Sequence, residues 1–481
     1  MDSDEFRVHG HALVDWIADY LSGSERYPVF ARVSPGDVRD ALPAAAPEQG
    51  EPFDVVFRDF ERILVPALTH WNHPRFFAYF AITGSAPGVL AEFLSAALNQ
   101  QAMLWRTSPA ATELEEVALG WLRRLLGLPE AFEGVIYDTA SISTLHALAA
   151  ARHAALDGVG EYGLAGARGR GAVAVYCSEQ AHTSVDKAVI LLGLGQASLR
   201  RIRVDEAFRL RSDDLRAAIE RDLADGVRPL AVVATIGTTS TTSVDPVGAI
   251  AEICAEHGIW LHVDAAYAGA AAILPDRRGE FAGWDRADSV VVNPHKWLLV
   301  PFDLSAFYCR RMDVVRAAFS LVPDYLATSD EGRGARNLMD TGVQLGRRFR
   351  ALKLWMVLRT FGAEGLRAVI TEHMRLARLF AAWVEADPSF AVVAPVPFSV
   401  VCFRATPAGM RAADADTLNE RLLDAINATG EVFLSHTRLH GRFVLRLAVG
   451  HLRTSEADVA LAWALLRSHL ARLVRLDPSD L

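Results

Sequence analysis

A lysine, a carboxylate and a histidine each stand close behind an apolar, strand-like run. Lys296 follows Ser-Val-Val-Val-Asn-Pro-His, Asp264 follows Ile-Trp-Leu-His-Val, and His182 comes soon after Ala-Val-Tyr-Cys-Ser. Of 49 basic residues only three are lysines, so 46 (49 − 3) are arginines. A guanidinium stays protonated, whereas burial can turn a lysine into an amine nucleophile. The pattern points to a Schiff-base lysine, although an arginine-rich genome can also leave a few lysines by chance.

A turn of small residues forms a candidate phosphate site. Asp138-Thr139-Ala140-Ser141 follows Gly-Val-Ile-Tyr and opens a helical stretch, where free N–H groups and hydroxyls can hold a phosphate. The same residue types are also ordinary helix caps. Thr239 and Asn293 are further candidates for the phosphate and the ring periphery, with cap or turn roles as the alternative.

Together these parts describe a pyridoxal phosphate site. Lys296 would take the aldehyde, Asp264 the pyridine nitrogen, His182 would stack on the ring, and the turn would hold the phosphate. A carboxylate ~4 Å from a pyridinium contributes roughly 4 kcal/mol at an effective dielectric of 20, enough to keep the nitrogen protonated. The alternatives are a structural histidine and an aspartate paired with a structural arginine.

Composition narrows the class of partner. A chain of 481 residues with 51% hydrophobic content has room for more than one large core. The net charge of −9 without long basic runs argues against nucleic acid or an anionic membrane surface, so we expect a small-molecule substrate. No run approaches the ~20 apolar residues of a membrane span, and we expect a cytoplasmic protein. The separated cysteines predict free thiols, and His436 and His440, placed in a turn, predict no metal site.

Short β-branched runs alternate with helical stretches in the middle of the chain. This rhythm predicts an α/β fold, with a mostly parallel central sheet, helices on both faces, and ligands at the carboxyl ends of the strands. We predict an N-terminal helical arm for dimerisation at 1–85, a large cofactor-binding α/β domain at 86–360, and a small α+β domain at 361–481. A long helix is expected at 345–361. Strands are predicted at 134–137, 172–176, 230–236, 259–263, 289–292, 304–308, near 392, and at 400–403 and 443–449.

Five further motifs follow one another along the chain: His-Pro-Arg-Phe-Phe-Ala-Tyr-Phe (73–80), Thr-Ser-Pro-Ala-Ala-Thr-Glu-Leu-Glu (107–115), His-Val-Asp-Ala-Ala-Tyr-Ala-Gly (262–269), Asn-Pro-His-Lys-Trp-Leu (293–298) and Leu-Gly-Arg-Arg-Phe-Arg-Ala-Leu-Lys-Leu-Trp (345–355). With these motifs the chain, from about residue 6 to 470, resembles the aromatic L-amino acid decarboxylases, which are group II, fold type I pyridoxal phosphate enzymes. The resemblance implies that Lys296 binds the aldehyde, Asp264 the ring nitrogen and His182 the ring face. The further cofactor contacts it implies are Ala140, Ser141, Thr239, Asn293 and His295.

The resemblance also implies a homodimer with shared active sites and a loop that bears a catalytic tyrosine. Tyr325 is the matching residue, within the polar stretch 320–337. From the residues alone, such a tyrosine could equally be surface packing. In the family it protonates the α-carbon, and relatives with phenylalanine there form aldehydes instead. Tyr325 therefore favours simple decarboxylation.

The substrate pocket implied by the resemblance departs from the family pattern at three positions. Ala81 and Ile82 replace a proline and a threonine, and Met103 replaces an aromatic residue contributed by the neighbouring subunit. Gly346, where some plant relatives carry serine, leaves room for an indole, so we expect tryptophan-like or broad aromatic specificity. Aromatic clusters can also be core packing. The complete predicted pocket is Trp71, Tyr79, Phe80, Ala81, Ile82, Met103 and Gly346.

The resulting hypothesis is decarboxylation of an aromatic L-amino acid of the tryptophan, 5-hydroxytryptophan, phenylalanine, tyrosine and DOPA class to an arylalkylamine and carbon dioxide. The alternatives are an aldehyde-forming relative, a decarboxylase of acidic amino acids, and a catalytically silent pyridoxal phosphate scaffold. Tyr325 argues against the first and the apolar pocket against the second. The set of Lys296, Asp264, His182 and Tyr325 argues against the third.

Overall fold

The computed structural model describes residues 1–166, 171–321 and 334–475. Within these ranges the helices are α1 (Ser3–Gly23), α2 (Asp37–Ala41), α3 (Phe53–Asp59), α4 (Ala86–Leu98), α5 (Pro109–Leu126), α6 (Ala140–Ala155), α7 (Val159–Gly166), α8 (Ser184–Leu191), α9 (Ser212–Ala224), α10 (Val247–His257), α11 (Pro294–Trp297), α12 (Met312–Phe319), α13 (Ala351–Ala386), α14 (Ala412–Asn427) and α15 (Glu456–Arg475). The strands are β1 (Phe76–Phe77), β2 (Glu133–Tyr137), β3 (Val173–Ser178), β4 (Leu199–Ile202), β5 (Arg228–Thr235), β6 (Trp260–Asp264), β7 (Ser289–Val292), β8 (Ser305–Cys309), β9 (Phe390–Val392), β10 (Val400–Ala405), β11 (Phe433–Leu439) and β12 (Arg442–Ala448).

Internal contacts divide the chain into two units. The terminal unit comprises Met1–Ala81, Arg375–Val393 and Val401–Leu481, and the central unit comprises Ile82–Met374 and Ala394–Val400. In the described residues, no helix has both the length and the apolar character needed to cross a membrane.

The central unit is built on a seven-stranded sheet in the order β2-β8-β7-β6-β5-β3-β4. Only β8 among these strands runs antiparallel to its neighbours, in the part of the chain that the structure describes. Strands such as Ser-Val-Val-Val of β7 are buried throughout, as expected for a sheet covered on both faces. Thr235 pairs with Asp264 and Asp264 with Val291, so the carboxyl ends of β5, β6 and β7 adjoin. The predicted α/β fold class is confirmed.

The terminal unit contains a five-stranded sheet in the order β1-β11-β12-β10-β9, in which β1 pairs parallel with β11. Helices α14 and α15 pack together, and α14 also lies against β11 and β12. The predicted arm 1–85 thus shares a sheet with strands of the predicted small domain 361–481. A two-residue strand has no periodicity, so the sequence pattern could not reveal this pairing.

Three elements differ from the sequence-based expectation. The long helix α13 begins at Ala351 and continues to Ala386, with a bend at Gly362, whose φ of 62° is readily adopted by glycine. The domain boundary predicted at residue 360 therefore falls inside this helix. The two units of the structure divide after Met374. The stretch predicted as a turn around His436 is strand β11, and His440-Gly441 form the turn, both with positive φ. Strand β4 was not predicted, because its central arginines hide the apolar pattern of a sheet edge.

Candidate active site

Lys296 and Asp264 lie at adjoining strand ends in the central unit. Asp264 ends β6, and Lys296 is in α11, the short helix that follows β7. Backbone hydrogen bonds connect the two segments: Asn293 N donates to Ala266 O (2.9 Å), and Lys296 N donates to Asn293 O (2.9 Å). The sheet therefore fixes the backbone of both residues.

Side-chain packing fixes the same two segments. Trp297, next to Lys296, stacks on Tyr267 with ring centroids 4.8 Å apart and an angle of 7° between the planes. Its indole nitrogen donates to His373 Nδ1 (3.0 Å). At Gly269 a Cβ atom would lie 2.6 Å from Val292 Cγ2, so the turn after β6 can pack on β7 only without a side chain there.

Lys296, Asp264 and His182 form one electrostatic group. Burial lowers the pKa of the Lys296 amine, and the Asp264 carboxylate opposes that shift. Desolvation also lowers the pKa of His182, with Asp264 opposing the change and Lys296 reinforcing it. A lysine amine with a lowered pKa has a larger neutral fraction, which is the form that attacks a carbonyl.

Hydrogen bonds define which ring nitrogen of two histidines carries the proton. His182 Nδ1 accepts from Ser184 N (3.1 Å), and His295 Nδ1 accepts from Leu304 N (2.9 Å). In a neutral ring the proton then resides on Nε2. Burial lowers the pKa of His295 to about 3, so this ring stays neutral. His182 therefore presents an Nε2–H donor, whereas the Nε2–H of His295 faces the side-chain amide of Asn293 at 3.3 Å.

The start of α6 is suited to an anion. Thr139 at the helix start makes no side-chain capping hydrogen bond, and its hydroxyl donates to Asp138 Oδ1 (3.1 Å). The first N–H groups of a helix have no partner within it, and those of Ala140 and Ser141 are suited to a phosphate. Thr239 is exposed in the turn after β5, which Gly237 N closes by donating to Ser243 O (3.0 Å).

A buried ring nitrogen on the strand of Asp264 has no protein partner. Trp260 Nε1 donates to Ser289 Oγ (3.0 Å), and this hydroxyl in turn bonds His262 Nδ1 (2.9 Å), which leaves His262 Nε2 unpartnered. Buried polar atoms normally bond something, so this one indicates an absent polar ligand or water. The residues fit a phosphorylated aldehyde that carries a ring nitrogen. His262 was missed from the sequence, although it shares a strand face with Asp264 two residues on.

The predicted pocket residues are divided between the two units. Trp71, Tyr79, Phe80 and Ala81 belong to the terminal unit, Ile82, Met103 and Gly346 belong to the central unit, and Tyr325 lies outside the described residues. Within the central unit, Ala102 N donates to Arg347 O (2.8 Å), which brings Met103 and Gly346 to neighbouring segments.

In the terminal unit, Tyr79 and Phe80 are held by residues that sequence reasoning did not place beside them. Tyr79 is 53% exposed with a φ of 52°, and its N–H donates to Ser435 Oγ (3.0 Å). The Arg446 guanidinium lies 5.4 Å from the Phe80 ring centre and donates to the same Ser435 oxygen (3.1 Å). Arg446 thus supports the aromatic segment.

Buried histidines should make the fold sensitive to acid. Burial lowers the pKa of His262 to about 4 and that of His146 and His295 to about 3. The unfolded chain protonates histidine near pH 6.5 and the folded chain does not, so their contribution to stability is present above about pH 6.5 and falls as the pH drops. For each unit by which the pH falls, each buried histidine lowers the free energy of unfolding by at most about 1.4 kcal/mol.

We expect His146→Gln to reduce the pH dependence of the unfolding free energy by up to about 1.4 kcal/mol per pH unit between about pH 6 and about pH 4.5. Urea titrations followed by tryptophan fluorescence measure this slope. The exposed His436→Gln is the matched control. Equal slopes in the two variants would contradict the prediction.

Comparison with known proteins identifies the family of the chain. Residues 35–406 match the pyridoxal-dependent decarboxylase conserved domain. The chain is 42% identical to aromatic-L-amino-acid decarboxylase of Sus scrofa, covering 99% of this chain and 98% of that protein. It is 41% identical to phenylacetaldehyde synthase of Arabidopsis thaliana, covering 98% and 97%.

Among solved structures, the crystal structure of Oryza sativa TDC with PLP and tryptamine has a TM-score of 0.94 at 38% identity, covering 98% of this chain and 99% of that one. The predicted cofactor, pyridoxal phosphate, is confirmed by these similarities. The chain belongs to the pyridoxal-dependent decarboxylase family, as a fold type I carboxy-lyase that uses this cofactor.

Proposed function

We propose that this enzyme decarboxylates an aromatic L-amino acid of the tryptophan, 5-hydroxytryptophan, phenylalanine, tyrosine and DOPA class and releases the arylalkylamine. The main support for this proposal is the grouping of Lys296, Asp264 and His182. They belong to a chain that matches the pig aromatic-L-amino-acid decarboxylase over 98% of that protein. The rice structure, which holds tryptamine, supports the same substrate class. Neither comparison ranks the substrates, and Gly346 with Met103 favours tryptophan or broad specificity.

Each candidate residue receives a role under this proposal. Lys296 binds the cofactor aldehyde, Asp264 neutralises the charge of the ring nitrogen, and His182 lies over the ring. Ala140 and Ser141 offer N–H groups to the phosphate. The remaining contacts, at the ring and phosphate periphery, are Thr239, Asn293 and His295.

When bound, pyridoxal phosphate supplies an aldehyde for the amino group and a ring that takes up the electron pair released as the carboxylate departs. The chain supplies the conditions for that chemistry. Burial raises the neutral fraction of the Lys296 amine, and Asp264 maintains a negative charge where the ring nitrogen needs one. The Nε2–H of His182 remains available as a donor, because its Nδ1 is occupied by Ser184.

Aromatic side chains of the terminal unit support the substrate class. Trp71 stacks on Tyr79 at 5.9 Å between ring centres, and Arg446 supports the adjacent Phe80. Aromatic faces contribute about 0.5–1.5 kcal/mol per ring contact beyond area burial, which suits a flat substrate ring. The substrate contacts proposed from the family resemblance remain Trp71, Tyr79, Phe80, Ala81, Ile82, Met103 and Gly346.

We further propose a homodimer with shared active sites. Along α4, Leu90, Phe93, Leu94 and Leu98 are each 48–54% exposed and follow helical spacing, so they form one apolar face. Exposed apolar faces of this kind are typical of protein interfaces. A second copy of the chain is the partner that the family resemblance implies for it.

The assigned proton donor gives the test of the function. The role of Tyr325 rests on the family resemblance, and a positioned proton donor contributes about 10²–10⁴-fold to rate. We expect Tyr325→Phe to lose amine formation by roughly this factor and to release aldehyde, ammonia and hydrogen peroxide, with consumption of dioxygen. Chromatography of amine and aldehyde, with a peroxide assay, measures the change. Tyr162→Phe, at an exposed tyrosine, is the control, and an unchanged amine yield from Tyr325→Phe would exclude the role.

The second candidate function is aldehyde formation by the unmodified enzyme. The similarity to the Arabidopsis phenylacetaldehyde synthase favours it. The same assay separates the two candidates: one peroxide per carbon dioxide from the unmodified enzyme would establish the aldehyde-forming activity, and amine without peroxide would establish the decarboxylase.

A further inference from the structure

The third lysine of the chain, Lys353, is fully buried in the first turn of α13. Its Nζ lies 3.0 Å from Asp303 O, 3.2 Å from Pro301 O and 3.3 Å from Glu92 Oε2. An ammonium has three donors, and three acceptors surround this one. The ammonium of Lys353 is therefore fully used in contacts within the protein.

The position is an expensive one for a cation. Burial of a charge is unfavourable unless partners compensate it, and the first turn of a helix disfavours positive charge. Every other basic side chain of the Lys or Arg type in α13 is an arginine, so the lysine at position 353 is an exception. A guanidinium is planar and bulkier, with five donors, and matches three acceptors around one point poorly. The contacts of Lys353 must be the reason for its presence.

Two of these contacts are to the loop that leaves the Lys296 helix. This loop, residues 298–304, connects α11 to β8. Its far end returns to His295, because Leu304 N donates to His295 Nδ1 (2.9 Å) and His295 N donates to Leu304 O (3.4 Å). The ring of Phe302 also packs on His295, with centroids 4.9 Å apart. The loop and the neighbour of Lys296 are thus one connected structure.

The start of α4 holds the same loop. Ser85 donates to Leu299 O through both its N–H (3.1 Å) and its hydroxyl (2.8 Å). A Cβ atom at Gly88 would lie 2.2 Å from Pro301 Cδ, so the helix contacts the loop closely. Leu299 has a φ of 60°, a conformation that is unfavourable for a non-glycine residue and persists only when its surroundings hold it.

We propose that Lys353 is a positioning residue for Lys296: its ammonium holds the carbonyls of Pro301 and Asp303 and so fixes the 298–304 loop, with His295, beside the reacting amine. Glu92 completes the compensation of the buried charge. This inference rests on the proposed role of Lys296 as the residue that binds the cofactor aldehyde. It adds a residue that does not itself touch the cofactor.

The test measures how fast the cofactor-free enzyme captures pyridoxal phosphate, from the visible absorbance band that borohydride abolishes. Misplacement by about 1 Å can cost on the order of 10²-fold in rate, so we expect Lys353→Met and Lys353→Arg to slow capture by about 10- to 100-fold. Arg359→Met is the control, because Arg359 is an exposed cation of the same helix that lies over Trp355. It should capture at the unmodified rate.

A double variant separates positioning from stability. Lys353→Met with Glu92→Leu removes both members of this ion pair, and the other partner of Glu92, Arg348, is 55% exposed and stays hydrated. Slow capture by the folded double variant supports the proposal, and capture at the unmodified rate overturns it. Absence of any band in the unmodified enzyme would instead refute the role of Lys296, so the two failures are distinguishable.

Discussion

Replacement of Lys296 with arginine should eliminate the visible cofactor band and lower decarboxylation by on the order of 10⁴-fold, the upper range for loss of a positioned catalytic group. Arginine preserves the positive charge near Asp264, but a guanidinium does not supply a neutral amine. The variant therefore tests nucleophilic chemistry separately from charge. Absorbance titration with pyridoxal phosphate and release of carbon dioxide from tryptophan measure the two effects.

Lys187→Arg is the matched control for that experiment. Lys187 is an exposed lysine of α8, and the same substitution there changes neither the strand ends nor α11. We expect it to retain both the band and the activity. A borohydride-sensitive band in Lys296→Arg would show that another amine binds the aldehyde and would refute the assignment.

Asp264→Asn should lower kcat by roughly 10³-fold at saturating cofactor. A carboxylate about 4 Å from a cationic ring nitrogen contributes roughly 4 kcal/mol at an effective dielectric of 20, and every 1.36 kcal/mol is a factor of about ten. Asparagine keeps the size and can still accept the Ala266 N–H that Asp264 Oδ1 now accepts at 3.0 Å. The loss therefore reports the missing charge and not a collapsed turn.

Cofactor titration is needed with this variant, because a weaker affinity would otherwise imitate a slower reaction. Asp276→Asn, at an exposed aspartate, is the control and should behave as the unmodified enzyme. If Asp264→Asn at saturating cofactor retained kcat within a few-fold, Asp264 would not be the partner of the ring nitrogen. Such a result would leave the Lys296 prediction unaffected.

Sequence patterns that depend on neighbouring residues were informative for this protein. The buried runs before Lys296 and Asp264 predicted strands of a parallel sheet, and their carboxyl ends adjoin in the structure. The turn before α6 was open to two interpretations, and in the structure Thr139 makes no side-chain capping hydrogen bond there. The turn predicted around His436 was wrong, because the exposed residues of β11 are polar and such residues are also typical of loops.

By itself, the sequence determined the α/β class, the chemistry of the candidate site and the cofactor, because strand periodicity and residue types at strand ends are local properties. Only the tertiary structure decided that β1 joins β11, that His262 Nε2 is left without a protein partner, and that Lys353 is buried among Glu92, Pro301 and Asp303. These features depend on contacts between segments far apart in the chain, which no local pattern encodes. For that reason one rare lysine could be identified from its neighbours in the sequence, and another only from its neighbours in space.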